Sequence, residues 1–150
     1  MTARSHYDVL LVDDDASDIR IITEAMKSHS LVRLHTVSDG EAAMQWLAKT
    51  SENKSIRRPN LILLDLNLPR KNGLEVLREI RASQFLRSIP VIVLTTSHSE
   101  KDILDAYLCN ANAVITKPND FNGFVSLISE INKFWLSVAN LPNNKDLFAT

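Results

Sequence analysis

The stretch from Asn60 to Gly73, NLILLDLNLPRKNG, constrains this chain more than any other. After Pro59 it opens with four consecutive apolar residues, Leu61 to Leu64. An unbroken apolar run of that length suits a strand buried on both faces, as in the middle of a parallel sheet. It ends abruptly on a carboxylate, Asp65, and then on turn chemistry: Asn67, Pro69 and the pair Asn72-Gly73. A second apolar strand, Tyr7 to Val12, also ends on acids, Asp13, Asp14 and Asp15. In an open α/β sheet, ligands bind outside the carboxyl ends of the strands. Two strands that both deliver acids to that edge build an oxygen-lined pocket of the kind a hard divalent cation such as Mg²⁺ takes.

The rest of the chain supplies the alternation such a sheet needs. Ile19, Ile22 and Met26 recur at helical spacing and predict a helix over 16–29, with Asp15 or Ser17 as its N-cap. Residues 31–37 alternate as a half-exposed strand, with Val32 and Leu34 on one face and Arg33 and His35 on the other. Asp39-Gly40 turns into a helix over 41–49 whose inner face is Ala42, Ala43, Trp46 and Leu47, and residues 50–58 form a polar, basic loop. Beyond Asp65, Leu74, Leu77 and Ile80 predict a helix over 73–83. Pro90 then opens a strand, Val91 to Leu94, that runs into Thr95, Thr96 and Ser97. A fourth helix covers 100–109, capped by Ser99 or Ser97, and a short strand, Ala113 to Thr116, leads to Lys117-Pro118. Phe124, Leu127, Ile128, Ile131 and Trp135 predict a last helix over 121–136. Strict alternation of five strands and five helices predicts an α/β fold: a flavodoxin-like, doubly wound (βα)5 unit around a central five-stranded parallel sheet.

Bulk properties narrow the class. The length of 150 residues predicts one domain, 1–136, with a short tail, 137–150, and no output domain. A net charge of −1 gives no reason to expect nucleic acid or an anionic membrane as partner. The single cysteine, Cys109, excludes an internal disulfide framework. No apolar run approaches the roughly 20 residues needed to span a bilayer, and the N-terminus lacks a signal-peptide core. These features predict a cytoplasmic protein.

Four strand ends therefore bring Asp13-Asp14, Asp65, Thr95 and Lys117 to one edge. Clustered carboxylates raise one another's pKa unless a cation joins them, and Mg²⁺ relieves that repulsion while keeping positions for phosphoryl oxygens. A carboxylate with a free oxygen is a nucleophile toward phosphorus. Phosphoryl transfer then asks mainly for charge stabilisation, which a Lys ammonium and a Thr hydroxyl supply.

With those residues in that order, the sequence resembles the receiver domain of two-component response regulators over about residues 7–136. The resemblance implies that Asp65 is phosphorylated by a sensor histidine kinase. It also implies that Asp13, Asp14, Asp65 and the main-chain carbonyl of Asn67 hold Mg²⁺, and that Thr95 and Lys117 act on the phosphoryl group. The resemblance implies too that the positions two beyond the acceptor and two beyond the Thr, here Asn67 and Ser97, face the attacking water and tune dephosphorylation. Pro59 to Pro69, Ile89 to Ser97 and the ending Phe134-Trp135-Leu136…Leu141-Pro142 are similar to the stand-alone cyanobacterial phytochrome response regulators. That likeness implies a phytochrome kinase and a downstream protein target. One departure stands out: receivers usually carry an aromatic three positions before the Lys, and here that position is Val114, with Tyr107 as the neighbouring aromatic.

The reading is a phospho-accepting switch and not a turnover enzyme. Its alternative is a Mg²⁺-dependent phosphohydrolase with an aspartyl nucleophile, which typically carries a second acid where Asn67 stands. A flavin binder of the same fold needs a Gly/Ser/Thr-rich phosphate loop where Asp13-Asp14-Asp15 stands, and a pseudo-receiver would lack the intact acid, Thr and Lys set. A receiver with no output domain signals through its own surface, and Phe134, Trp135 and Leu136 are of the type that anchors interfaces. They predict a homodimer, with Asp102 and Asp105 pairing to Lys133 or Lys145 across the two-fold. The alternative is that Trp135 and Leu136 pack back on their own sheet. His6, His29, His35 and His98 have no metal-ligand spacing and read as surface, as does Arg57-Arg58. Cys109 and Trp46 read as core.

Overall fold

The computed structural model describes residues 6–29, 31–53 and 55–142. The elements alternate as β1 (Tyr7–Val12), α1 (Ala16–Met26), β2 (Val32–Val37), α2 (Gly40–Glu52), β3 (Leu61–Leu64), α3 (Gly73–Ala82), β4 (Val91–Thr95), α4 (Glu100–Leu108), β5 (Ala113–Thr116) and α5 (Phe121–Lys133). The five strands form one parallel sheet in the order β2-β1-β3-β4-β5. The chain reverses direction across the sheet between β1 and β3. That is the switch point where a doubly wound sheet opens a crevice.

Strand periodicity explains the two layers. Leu10, Val12, Ile62, Leu64, Val91 and Val93 face α2, α3 and α4. Their neighbours Val9, Leu11, Leu61, Leu63, Ile92 and Leu94 face α1 and α5. Because both faces are covered, β3 and β4 are buried at every residue, which is why their sequences read as runs and not as alternation.

Caps set the helix starts. The Asp15 carboxylate accepts the N–H groups of Ser17 and Asp18, Asp39 accepts from Ala42, Ser99 from Asp102, and Asp120 from Gly123. The helix ends depart from the predicted ones. α1 stops at Met26, three residues early, while α2 continues through Glu52.

The final element differs most. The expected single helix over 121–136 is α5 to Lys133 followed by a π turn, Phe134–Val138, closed by the N–H of Ala139 on the Phe134 carbonyl at 2.7 Å. The widened turn carries Leu136, 2% exposed, into the α1/α5 core and leaves Phe134 52% exposed. Leu136 is thus a core residue of its own chain, which corrects its assignment to an interface. Trp135 is half-buried against the same core, with its ring 5.4 Å from that of Phe134.

Arg58 also departs from the solvated turn predicted for it. It is buried, with Nε donating to the Phe85 carbonyl at 3.1 Å, a second bond to the Ser88 hydroxyl, and its guanidinium over the Phe85 ring. Burial pushes its pKa down to about 10. Trp46 and Cys109 pack half-buried on the α2/α3/α4 core. Asp105 pairs with Lys101 on its own helix at 2.8 Å. Lys145 and the tail from residue 143 onward lie outside the described residues. Among the described residues, no helix is long and apolar enough to cross a membrane.

Candidate functional site

Four of the five strands, β1, β3, β4 and β5, each deliver one part of the site at the carboxyl end. Asp13 follows β1, its backbone N–H held by the Val37 carbonyl at 3.1 Å; Asp65 follows β3, held by Val12 at 2.9 Å. Thr95 closes β4, and its carbonyl accepts the backbone N–H of Lys117 at 2.7 Å, which fixes the start of the lysine side chain. Asp13, Asp65, Thr95 and Lys117 are all buried, whereas Asp14 and Asn67 are exposed at the mouth.

The loop after Asp65 is held by two close approaches that admit no side chain. A Cβ on Gly73 would lie 2.2 Å from the Asp65 carbonyl oxygen, and one on Gly40 would lie 1.8 Å from that of Lys71. Gly73 N–H returns to the Leu66 carbonyl at 2.9 Å, closing the loop. Arg70 at its tip takes a left-handed φ of 69°.

Lys117 is the hub. Its ammonium donates to Asp13 Oδ2 at 2.7 Å, Asp18 Oδ2 at 2.8 Å and Asp65 Oδ2 at 3.0 Å. An ammonium has three donors, and all three are engaged. Burial works against its charge, but the hydrogen bonds to Asp13 and Asp18 outweigh that and hold its pKa above the ordinary lysine value. Asp13 is raised above the usual carboxylate range because burial outweighs its bonds to Lys117 and the Asp15 N–H.

Asp13, Asp14 and Asp65 each offer an oxygen, and these lie within 4.8 Å of one another. Three carboxylates with a single ammonium among them fit a hard dication in both donor type and charge. Asp65 Oδ1 accepts the Asn67 N–H at 3.2 Å, so the Asp65 carboxylate is aligned from both oxygens. Thr95 Oγ1 accepts the Ser97 N–H at 3.3 Å. Ser97 in turn donates its hydroxyl to Asp102 of α4 at 2.6 Å, and its carbonyl takes the Thr116 hydroxyl at 3.2 Å. The β4–α4 loop is therefore strung between Thr95 and α4. Opposite Val114, the Tyr107 hydroxyl accepts the Val114 N–H at 3.2 Å, tying α4 to the edge strand β5.

The residues singled out in the sequence for chemistry thus meet at one edge; Phe134 and Trp135 lie elsewhere, on the π turn after α5. The sequence reading missed Asp18, and it gave Asp102 to a pair across a two-fold where the structure has it accept the Ser97 hydroxyl. Asp18 lies in the first turn of a helix that Asp15 caps, so its place five residues beyond Asp13 was the available signal. His35, read as surface, lies 3.2 Å from Asp8 and 5.1 Å, ring to ring, from Trp46.

The sequence profile described as the response regulator receiver domain matches residues 9–129. Response regulator Rcp1 of Synechocystis sp. is 43% identical over 138 residues, covering 89% of this chain and 92% of that protein. The Mn²⁺-bound form of Rcp1 superposes with a TM-score of 0.85 at 41% identity, over 91% of this chain and 99% of the other. The phosphorylated cyanobacterial phytochrome response regulator RcpA gives 0.87 at 44% identity, over 92% and 99%. By profile, sequence and fold, the chain belongs to the response regulator receiver family and is similar to the cyanobacterial phytochrome response regulators.

Proposed function

We propose that this chain accepts a phosphoryl group on Asp65 from the phosphohistidine of a sensor kinase, with Mg²⁺ held by Asp13, Asp14, Asp65 and the Asn67 carbonyl. The observation that carries the reading is the buried Asp65 carboxylate, oriented by Lys117 and the Asn67 N–H beside two further acids. An Asp65 oxygen attacks phosphorus, the P–N bond breaks, and the imidazole leaves with a proton while an acyl phosphate forms. Lys117 and the Thr95 hydroxyl take up charge on the phosphoryl oxygens. The dication would neutralise charge on the same oxygens. The relatives' Mn²⁺-bound and phosphorylated forms support this chemistry for the family, and the likeness to phytochrome response regulators supports a phytochrome-type kinase as donor.

A phosphoryl group that draws Thr95 inward pulls on Ser97, Asp102 and so on α4. Exposed Leu104, Tyr107 and Leu108 on α4, with Phe134 and Val138 beyond α5, supply apolar surface for a downstream protein or a second copy. Acetyl phosphate with Mg²⁺ should label wild type and leave Asp65→Asn unlabelled, and chelation should abolish labelling. Equal labelling of the mutant would sink the assignment. Light scattering on the same samples tests the homodimer. A single-chain mass at ~50 μM, where weak interfaces assemble, with and without phosphate, would remove it.

A further inference from the structure

We propose that Asp18 is a positioning residue for Lys117, the one acid at this edge whose sole task is to hold the ammonium while Asp65 changes its chemistry. The proposal rests on the phosphotransfer reading above. Three carboxylates engage Lys117, but two of them have other work. Asp65 is the acceptor, and Asp13 belongs to the trio of acids whose oxygens meet within 4.8 Å. Asp18 is outside that trio, and its side chain is 18% exposed, against 1% for Asp13. It approaches from α1, where the Asp15 cap fixes its backbone N–H at 3.1 Å.

The donor count makes this matter. When Asp65 becomes an acyl phosphate, the N–H that pointed at Asp65 Oδ2 has to turn to a phosphoryl oxygen. Were Asp13 the single remaining anchor, a flexible four-carbon stem would swing about one contact that a cation also draws upon. With Asp18, two anchors persist and the third N–H is aimed. Its hydrogen bond is also among the causes that keep Lys117 charged.

The test compares Asp18→Ala with Asp18→Asn, which keeps an acceptor oxygen without the charge. Phosphorylation by acetyl phosphate at saturating Mg²⁺ should slow about tenfold in the Ala variant, the scale of a lost orienting contact. The Asn variant should stay within about twofold of wild type. Mg²⁺ affinity, measured by calorimetry on the unphosphorylated protein, should change less than about twofold in either, because Asp18 offers the dication no oxygen. In protein labelled with ¹⁵N-lysine, the slowly exchanging Lys117 ammonium signal should persist in wild type and Asn and vanish in Ala. An Ala variant that labels like wild type overturns the proposal. So does equal slowing of Ala and Asn, which would make charge the cause, or a fall in Mg²⁺ affinity that tracks the rate. Wild type that takes no phosphoryl group on Asp65 would instead overturn the parent reading. The ammonium signal would still report whether Asp18 holds Lys117, so the two failures are distinguishable.

Discussion

Two buried acids, Asp8 and Asp65, stand near opposite ends of the sheet, and their surroundings differ in one respect. Near the start of β1, Asp8 receives Arg33 Nε and His35 Nε2, both at 3.2 Å, and its backbone N–H donates to the Asn60 side chain at 2.8 Å. The two partners come from edge strand β2, with side chains 42% and 37% exposed. One carboxylate there has a permanent cation of its own. At the other end, Asp13, Asp18 and Asp65 share the Lys117 ammonium, and Asp14 adds a fourth carboxylate beside them that has no ion pair among the described residues. Burial alone therefore does not mark a functional acid, since both ends bury one. Uncompensated charge does, because clustered carboxylates repel one another until a proton or a further cation joins them, and so favour binding of one.

Removing the ammonium breaks the contrast most severely. Lys117→Met leaves Asp13 and Asp65 buried without a cation and should cost about 3–5 kcal/mol in denaturant melts with chelator present. Millimolar Mg²⁺ should restore part of that loss. A cost below about 1 kcal/mol, or no recovery with Mg²⁺, would contradict the charge-excess account. At the compensated end the effect should be smaller and purely structural. Asp8→Asn should lose about 1–2 kcal/mol, since Arg33 and His35 can turn to solvent. Mg²⁺ affinity and Asp65 labelling should not move, and a change in either would show that the two ends are coupled. The smallest change in stability is expected for Asn67→Ala at the exposed mouth, within about 0.5 kcal/mol. There the readout is the aspartyl phosphate lifetime, which should shift because no strong base stands at Asn67 or Ser97 and water positioning sets the rate. An unchanged lifetime would remove Asn67 from that role.

The sequence by itself determined the element order, the two buried central strands and the chemical groups at the ends of four strands. Those are local signals. Apolar runs stop at a charge, a carboxylate caps the next helix, and a turn-forming pair breaks the chain, all within a few residues of one another. Asp13, Asp65, Thr95 and Lys117 were legible for that reason, as were the Asp15 and Ser99 caps. Only the tertiary structure decided who partners whom. Lys117 meets acids 104, 99 and 52 residues away, and strand order plus the crossing of α1 selected Asp18 over the equally acidic Asp15. Arg58 is indistinguishable from a surface arginine until Phe85 and Ser88 fold over it. Leu136 reads as an interface anchor until the π turn rotates it inward. Periodicity reports which face a residue takes on its own element. Pairing across the fold depends on which elements become neighbours, and no window along the chain contains that.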